Sequence, residues 1–259
     1  MIKIITYCFF DLVRSRWSYV YFSFYLLLSF ALLFLNNDTS KAVISLMNII
    51  TVLTPLIGTI FGVMYYYNSR EFIELLLSQP IKRSHIFIGQ YLGVAISLSL
   101  SLILGLGIPF LLYGVLQGAT SNFLMLLTVG SFLTFIFVAL AYNIALTHEN
   151  KIKGFGYAIL VWLLMAVIYD GVFLISLVMF QEYPLDNASL IATAFNPIDL
   201  SRILILLKLD ISALLGYTGA VFKSFFGTSL GLITSLFVLV LWVVIPIFFI
   251  YRKAQRKDF

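Results

Sequence analysis

Six long apolar runs, at 17–35, 42–67, 86–116, 123–147, 155–180 and 227–251, leave this chain few folds to choose from. Each is long enough to cross the ~30 Å hydrocarbon core of a bilayer as an α-helix. Inside a bilayer no water pairs with the backbone, so a spanning segment must be a helix or part of a closed barrel. Barrel strands alternate in polarity and these runs do not. The sequence therefore predicts an all-α membrane protein with six transmembrane helices.

The composition closes off the soluble alternatives. Apolar types make up 62% of the chain and charged types 10%, against about 25% charged in an ordinary soluble domain. A soluble sphere has too little interior for that load and would need more surface charge to stay dispersed. A cytosolic enzyme, a nucleic-acid-binding domain and a disordered chain are excluded on this ground. The single cysteine, Cys8, rules out an internal disulfide and a cysteine-based metal cage, and two histidines make no histidine-rich site. No cleavable leader is read: Lys3 is followed by uncharged residues only as far as Phe10, before Asp11, Arg14 and Arg16.

The net charge of +5 is a topology signal. With the N-terminus in the cytoplasm, the inside holds Lys3, Arg14, Arg16, Arg70, Lys82, Arg83, Lys151, Lys153, Arg252, Lys253, Arg256 and Lys257. The outside holds Lys41, Arg202, Lys208 and Lys223. That bias satisfies the positive-inside rule, and six spans return the basic tail to the cytoplasm. Both termini are thus expected on the cytoplasmic side of the cell inner membrane, with one membrane domain covering 1–259.

Four pieces lie outside the spans. In 1–15, Ile2, Ile5, Phe9, Leu12 and Val13 fall on one helical face, which predicts an amphipathic helix along the cytoplasmic interface. In 68–84, Asn68 with Glu71 resembles a capping box, and Phe72, Leu75 and Leu76 share a face opposite Arg70, Glu71, Glu74 and Ser78. Gln79-Pro80 stops that helix, because the residue before a proline resists the α conformation. The outer segment 181–226 carries Asn196-Pro197-Ile198-Asp199, a helix start with an Asn cap, Pro first and an acid third. The helix it opens is too short and too charged to span, so it is expected on the outer leaflet or over the bundle. The tail is a stop-transfer cluster.

Few motifs suggest chemistry. There is no P-loop and no HExxH. Gly227-Thr228-Ser229-Leu230-Gly231 matches GxSxG, the nucleophile elbow, but it opens a span and both histidines map to the opposite side. An intramembrane hydrolase using Ser229 is the remote alternative, and no catalytic residue is assigned. Gly58/Gly62 and Gly89/Gly93 are GxxxG pairs suited to close helix packing. Asp170 after Tyr169 lies inside span five, where a carboxylate costs roughly 2.5–3.5 kcal/mol and needs a partner or a wet path. It either lines a translocation pathway or bonds structurally to a Tyr or to Arg202. Met47, Met64, Met125, Met165 and Met179 could offer thioethers to Cu(I), but methionines scattered over so apolar a chain read as core filling, and no metal site is assigned. His148 to Lys153 is either a second docking contact or a solvated turn.

The run Glu74-Leu75-Leu76-Leu77-Ser78-Gln79-Pro80-Ile81-Lys82-Arg83, followed by Ile86 and Gly89, resembles the coupling-helix signature of the type-2 permeases of ATP-binding-cassette (ABC) transporters. Members often carry Gly-Thr before the Leu-Glu pair and a Lys after the Gly; here those places hold Glu71-Phe72 and Gln90. Within that family, Tyr169-Asp170 after Trp162-Leu163-Leu164, and Asn196-Pro197-x-Asp199-x-x-Arg202, resemble the permeases that serve maturation of the copper enzyme nitrous-oxide reductase.

The resemblance implies six spans, an N-terminal interfacial elbow helix and a cytoplasmic coupling helix. It implies a homodimer carrying two copies of a separate cytosolic ATPase, which would hold the ATP and Mg; this chain would hold no cofactor. Glu71, Phe72, Glu74, Leu75, Leu76, Gln79, Pro80 and Arg83 would couple to the ATPase. Leu75 and Leu76 would fill a groove and Glu71, Glu74 and Arg83 would make rim contacts. Asn196, Asp199 and Arg202 would meet a periplasmic accessory protein, and the cargo would be copper or a sulfur species. Nearest in kind stands a type-2 permease for another cargo (lipid, peptide, ion or a gliding-motility component). A purely structural membrane anchor is the third alternative.

Overall fold

The structure, a computed structural model, describes residues 1–35, 39–113, 120–180, 186–208 and 229–256. Among these residues every regular element is helical. The chain runs α1 (Ile2–Val13), α2 (Arg16–Leu35), α3 (Thr39–Asn68), α4 (Arg70–Leu77), α5 (Arg83–Tyr113) and α6 (Thr120–Thr147). Then come α7 (Lys151–Leu163), a π-helical turn (Leu164–Ile168) and α8 (Tyr169–Met179). The last elements are α9 (Asp186–Ala194), α10 (Pro197–Lys208) and α11 (Ser229–Arg256).

Six helical stretches are long and apolar enough to cross a membrane: α2, α3, α5, α6, α7 continuing through α8, and α11. They fall where the apolar runs predict. Of the α5 window 61% is buried inside the bundle, against 11% for span five. So α3, α5 and α6 form the centre, and α2, α7–α8 and α11 turn large apolar faces outward.

Small residues set the closest approaches. A Cβ on Gly62 would come within 2.8 Å of the Ala141 Cβ on α6, and one on Gly93 within 2.6 Å of the Cys8 Cβ on α1. Both glycines are therefore fixed by contact, and the two GxxxG pairs pack helix on helix as their spacing predicts.

The packing of α1 differs from the sequence reading. Its buried stripe is Ile4, Cys8 and Leu12, while Ile2 is exposed. The predicted face was drawn for a helix touching only lipid. The α5 glycine groove takes the Ile4–Cys8 stripe instead; of the predicted face Leu12 is buried, Ile5, Phe9 and Val13 are half-buried and Ile2 faces outward.

One end of the bundle collects α1, α4, the 148–150 turn and the end of α11. It carries all the described basic residues except Lys41, Arg202 and Lys208, and we call it the basic end. The α9–α10 pair belongs to the other half. These two helices meet at a 113° bend. Here the sequence expectation is corrected: α10 does not lie over the bundle. Ile198, Leu200, Ile203, Leu204, Ile205 and Leu206 are all buried, because α10 is wedged against α3, α6 and α11.

Candidate functional site

The α4 helix sits at the basic end, joining α3 to α5 and touching both. It begins at Ser69, whose backbone carbonyl accepts from Ile73 N at 2.9 Å. The predicted capping box does not form. Asn68 is the last residue of α3, and its Oδ1 accepts from Lys151 Nζ at 2.9 Å. The Ser69 Oγ donates back to Tyr65 O at 2.7 Å and accepts from the buried Gln90 Nε2 at 3.2 Å. The junction is thus held by the neighbouring spans.

The faces of α4 are shifted from the sequence reading. Ile73 is fully buried and anchors the helix. Leu76 and Leu77 turn inward with Ile81 onto Ile4, Cys8 and Ile86. Phe72 stacks on Tyr7 of α1 at 4.6 Å between ring centroids. Leu75 is 66% exposed. Leu75 and Leu76 therefore do not share a face, since the 100° step between them straddles the boundary of the packed stripe. The outward surface is Arg70, Glu71, Glu74, Leu75, Ser78, Gln79 and Pro80. Arg70 Nε pairs with Glu74 Oε1 at 3.2 Å, an exposed i,i+4 pair. Ser78 Oγ donates to Leu75 O at 2.8 Å and closes the last turn. Arg83 is exposed at the start of α5.

The 148–150 turn is fastened to this junction. Asn150 caps α7, its Oδ1 accepting from Ile152 N and Lys153 N at 2.9 and 3.3 Å. Tyr67 Oη donates to His148 O at 2.6 Å, and the His148 ring stacks on Tyr157 at 4.5 Å. Gly154 lies directly beneath the Tyr67 hydroxyl, where no Cβ fits. Both loops at the basic end therefore behave as one block. Tyr67, Gly154, Ile73 and Tyr7 escaped the sequence reading. Ile73 could have been found from its spacing to Leu76 and Leu77; the Tyr67–Gly154 fit carries no local signal.

Beside α4, between α1, α2 and α3, opens a cavity of about 890 Å³. Tyr7, Trp17, Tyr21, Phe61 and Phe72 form apolar walls, and Asp11 and Arg14 stand at it. Tyr65 Oη donates to Asp11 Oδ2 at 3.0 Å. Next to it, burial raises the Cys8 thiol to about 11.

A second polar cluster pins the α9–α10 bend. Asn196 caps α10: its Oδ1 accepts from Ile198 N at 3.1 Å, as the Asn-Pro-x-Asp motif predicts. Its Nδ2 donates to Asp199 Oδ2 and to Met165 O, both at 2.8 Å. Met165 lies in the π-helical turn, which displaces carbonyls from the regular ladder and leaves this one available. Tyr169 Oη donates to Ala192 O at 2.6 Å and Trp242 Nε1 to Ala194 O at 3.1 Å. Arg202 Nη1 reaches Asp170 Oδ2 at 3.1 Å and Asp199 Oδ1 at 3.8 Å.

Asp170 and Tyr169 are thus brought together with Asn196, Asp199 and Arg202. Asp170 has the Arg202 partner that the structural alternative required. The placement bears differently on a partner surface: Asn196 is 1% and Asp199 6% exposed, and both point into the bundle. Arg202 keeps partial access.

Among the described residues no group of three or more His, Cys, Asp or Glu is placed to hold a metal ion. Met47 is buried in the core, Met64 borders the cavity and Met179 is exposed. The Ser229 side chain and residues 181–185 and 209–228 lie outside the described residues, and with them half of the outer segment 181–226.

No protein-family model matches the chain. It is similar to a protein of Pseudomonas aeruginosa named probable ABC transporter permease protein NosY, 26% identical over 225 residues, covering 78% of this chain and 80% of the relative. It is similar also to the protein of that name from Stutzerimonas stutzeri, 26% identical over 226 residues, covering 81% of this chain and 78% of the relative. The resemblance to ABC transporter permeases therefore runs over most of the chain. It supports a multi-pass permease subunit, a component of transport.

Proposed function

We propose that this chain is the membrane-spanning permease of an ABC transporter whose movement is driven by a separate cytosolic ATPase, and that the system serves maturation of nitrous-oxide reductase. The observation that carries the reading is α4. A short helix is anchored by Ile73 and presents Glu71, Glu74, Leu75 and Gln79 outward from the basic end. An isolated loop needs only a few residues to reconnect two spans. A helix held rigid with a polar outer face is what a docking partner requires.

The basic end faces the cytoplasm by the positive-inside rule. Both termini then lie on the cytoplasmic side of the cell's inner membrane. A homodimer of this chain carries two ATPase copies, each seated on one α4. Closure of the ATPases on ATP and Mg pushes α4. The push passes to α1 through Tyr7–Phe72 and to span five through Tyr67–His148. In span five the π-helical turn, tied to α10 by Asn196, is the place where the helix can rewind. A periplasmic accessory protein receives the movement on the opposite side, and copper or a sulfur species is the cargo delivered.

Glu74→Lys tests this. The substitution breaks the Arg70 pair on the exposed face and reverses a contact charge without touching the core. The expected result is normal membrane insertion with loss of ATPase co-purification and of cargo-stimulated hydrolysis. Full coupled activity in Glu74→Lys would contradict the docking assignment. Assembly with the ATPase but no change in nitrous-oxide reductase copper content on deletion would keep the permease reading and move it to another cargo.

A further inference from the structure

The cavity between α1, α2, α3 and α4 lies behind the Tyr7–Phe72 contact, and its shape and chemistry point to a ligand of its own. Its volume of about 890 Å³ falls within the roughly 300–1,000 Å³ of ordinary small-molecule sites. Its mouth is lateral. Trp17, Val20 and Phe24, which border it on α2, are 63%, 60% and 39% exposed. They belong to the outward face of a span, so the cavity opens toward the bilayer.

The depth is set by neighbouring residues. In the proposed reading α1 is the interfacial helix of the cytoplasmic side, and the exposed Tyr7 and Trp17 are ring types that settle at headgroup level. Farther in, Ile57, Ile60 and Phe61 continue the wall along α3. The cavity thus has a polar rim at headgroup level and an apolar interior at acyl-chain level.

The rim carries one charge of each sign. Asp11 and Arg14 stand one helical turn apart at the end of α1, both exposed. Neither makes an ion pair within the described structure. The Tyr65 hydroxyl fixes the Asp11 carboxylate at 3.0 Å. A carboxylate and a guanidinium held apart complement a headgroup with a phosphate and an amine. Arg is the preferred partner of phosphate oxygens, and a primary ammonium donates to a carboxylate where a quaternary one cannot.

We infer that this cavity binds one phospholipid of the cytoplasmic leaflet, of the phosphatidylethanolamine class. The amine sits on Asp11, the phosphate on Arg14, and the acyl chain runs along Ile57, Ile60 and Phe61. The lipid closes the space behind the Tyr7–Phe72 stack and so braces α4 from the membrane side.

The test is native mass spectrometry of the full chain, alone and with its ATPase, after exchange from an equimolar mixture of phosphatidylethanolamine, phosphatidylglycerol and phosphatidylcholine. One retained phosphatidylethanolamine per chain is expected, favoured about two- to fivefold over the other two, the size of an exposed charge pair. Asp11→Asn should remove the preference over phosphatidylglycerol, and Arg14→Gln should lower retention of all three. Both positions are exposed, so folding is unaffected. Ile60→Trp fills the interior and should reduce bound lipid of every class. Equal retention of the three headgroups would overturn the assignment, as would an unchanged preference in Asp11→Asn. Cross-links from Val20 to a second copy that exclude lipid would also overturn it.

Discussion

Tyr67, in the last turn of α3, donates its hydroxyl to the carbonyl of His148 across the basic end at 2.6 Å, directly above Gly154. One side chain thus ties the segment entering α4 to the segment entering span five. The Asn68–Lys151 bond at 2.9 Å repeats the tie one residue on.

Gly154→Ala should loosen this tie. The new methyl meets the Tyr67 hydroxyl and ring, and overpacking of this kind costs about 1–3 kcal/mol. A lowered thermal midpoint in detergent is expected, with ATPase activity less responsive to the permease. Tyr67→Phe removes only the hydrogen bond, worth roughly 0.5–1.5 kcal/mol, and should give a smaller shift. A Gly154→Ala midpoint equal to that of the parent would show that the two loops move independently.

Asn196 should be the most sensitive polar residue of the α9–α10 bend. It caps α10 and bonds to Met165 O and Asp199. Asn196→Ala removes all three and should destabilise by about 2 kcal/mol. Asn196→Asp keeps an acceptor for the cap but turns acceptors toward Met165 O and Asp199, so it should rescue little. Urea unfolding of the reconstituted chain, followed through Trp242 beside Ala194, measures both. Near-parent stability in either variant would show that the π-helical turn is held by something else.

The Cys8 thiol should be slow to alkylate. Burial raises it from 9.0 to about 11, so at pH 8 the folded chain holds about 100-fold less thiolate than a free thiol would. The sign of the linkage follows. Above pH 9 the unfolded chain loses this proton before the folded one does. The contribution to stability is therefore full below pH 9 and falls as pH rises toward about 11. Maleimide labelling against pH checks this. Gly93→Val, which forces α1 away from α5, should speed labelling at pH 8. Rapid labelling of the parent chain at that pH would show that α1 does not lie in the glycine groove.

What could be seen in the sequence follows the range of the forces involved. Lipid sets span length, so six apolar runs predicted six spans to within a few residues. Caps act over three residues, so Asn196-Pro197-x-Asp199 was legible as a helix start. The faces of α1 and α4 were not. Their apolar residues outnumber the packed ones; the α1 stripe is chosen by distant Gly89 and Gly93, and the α4 stripe by Ile4, Cys8 and Ile86 on α1 and α5. Asn68 had a better partner in Lys151 than in its own helix, so local pattern overstated the capping box. The burial of α10 needed the bend at Asn196 and a space between α3, α6 and α11 that no local pattern reports.

The most direct measurement is photo-cross-linking from α4 in the assembled transporter. A benzophenone side chain at Leu75 should form an adduct with the ATPase subunit, and the yield should change when ATP is trapped. The same group at Lys41, outside the basic end, should form none. Adducts from Leu75 to lipid alone, or to a protein without nucleotide-hydrolysing activity, would contradict the account.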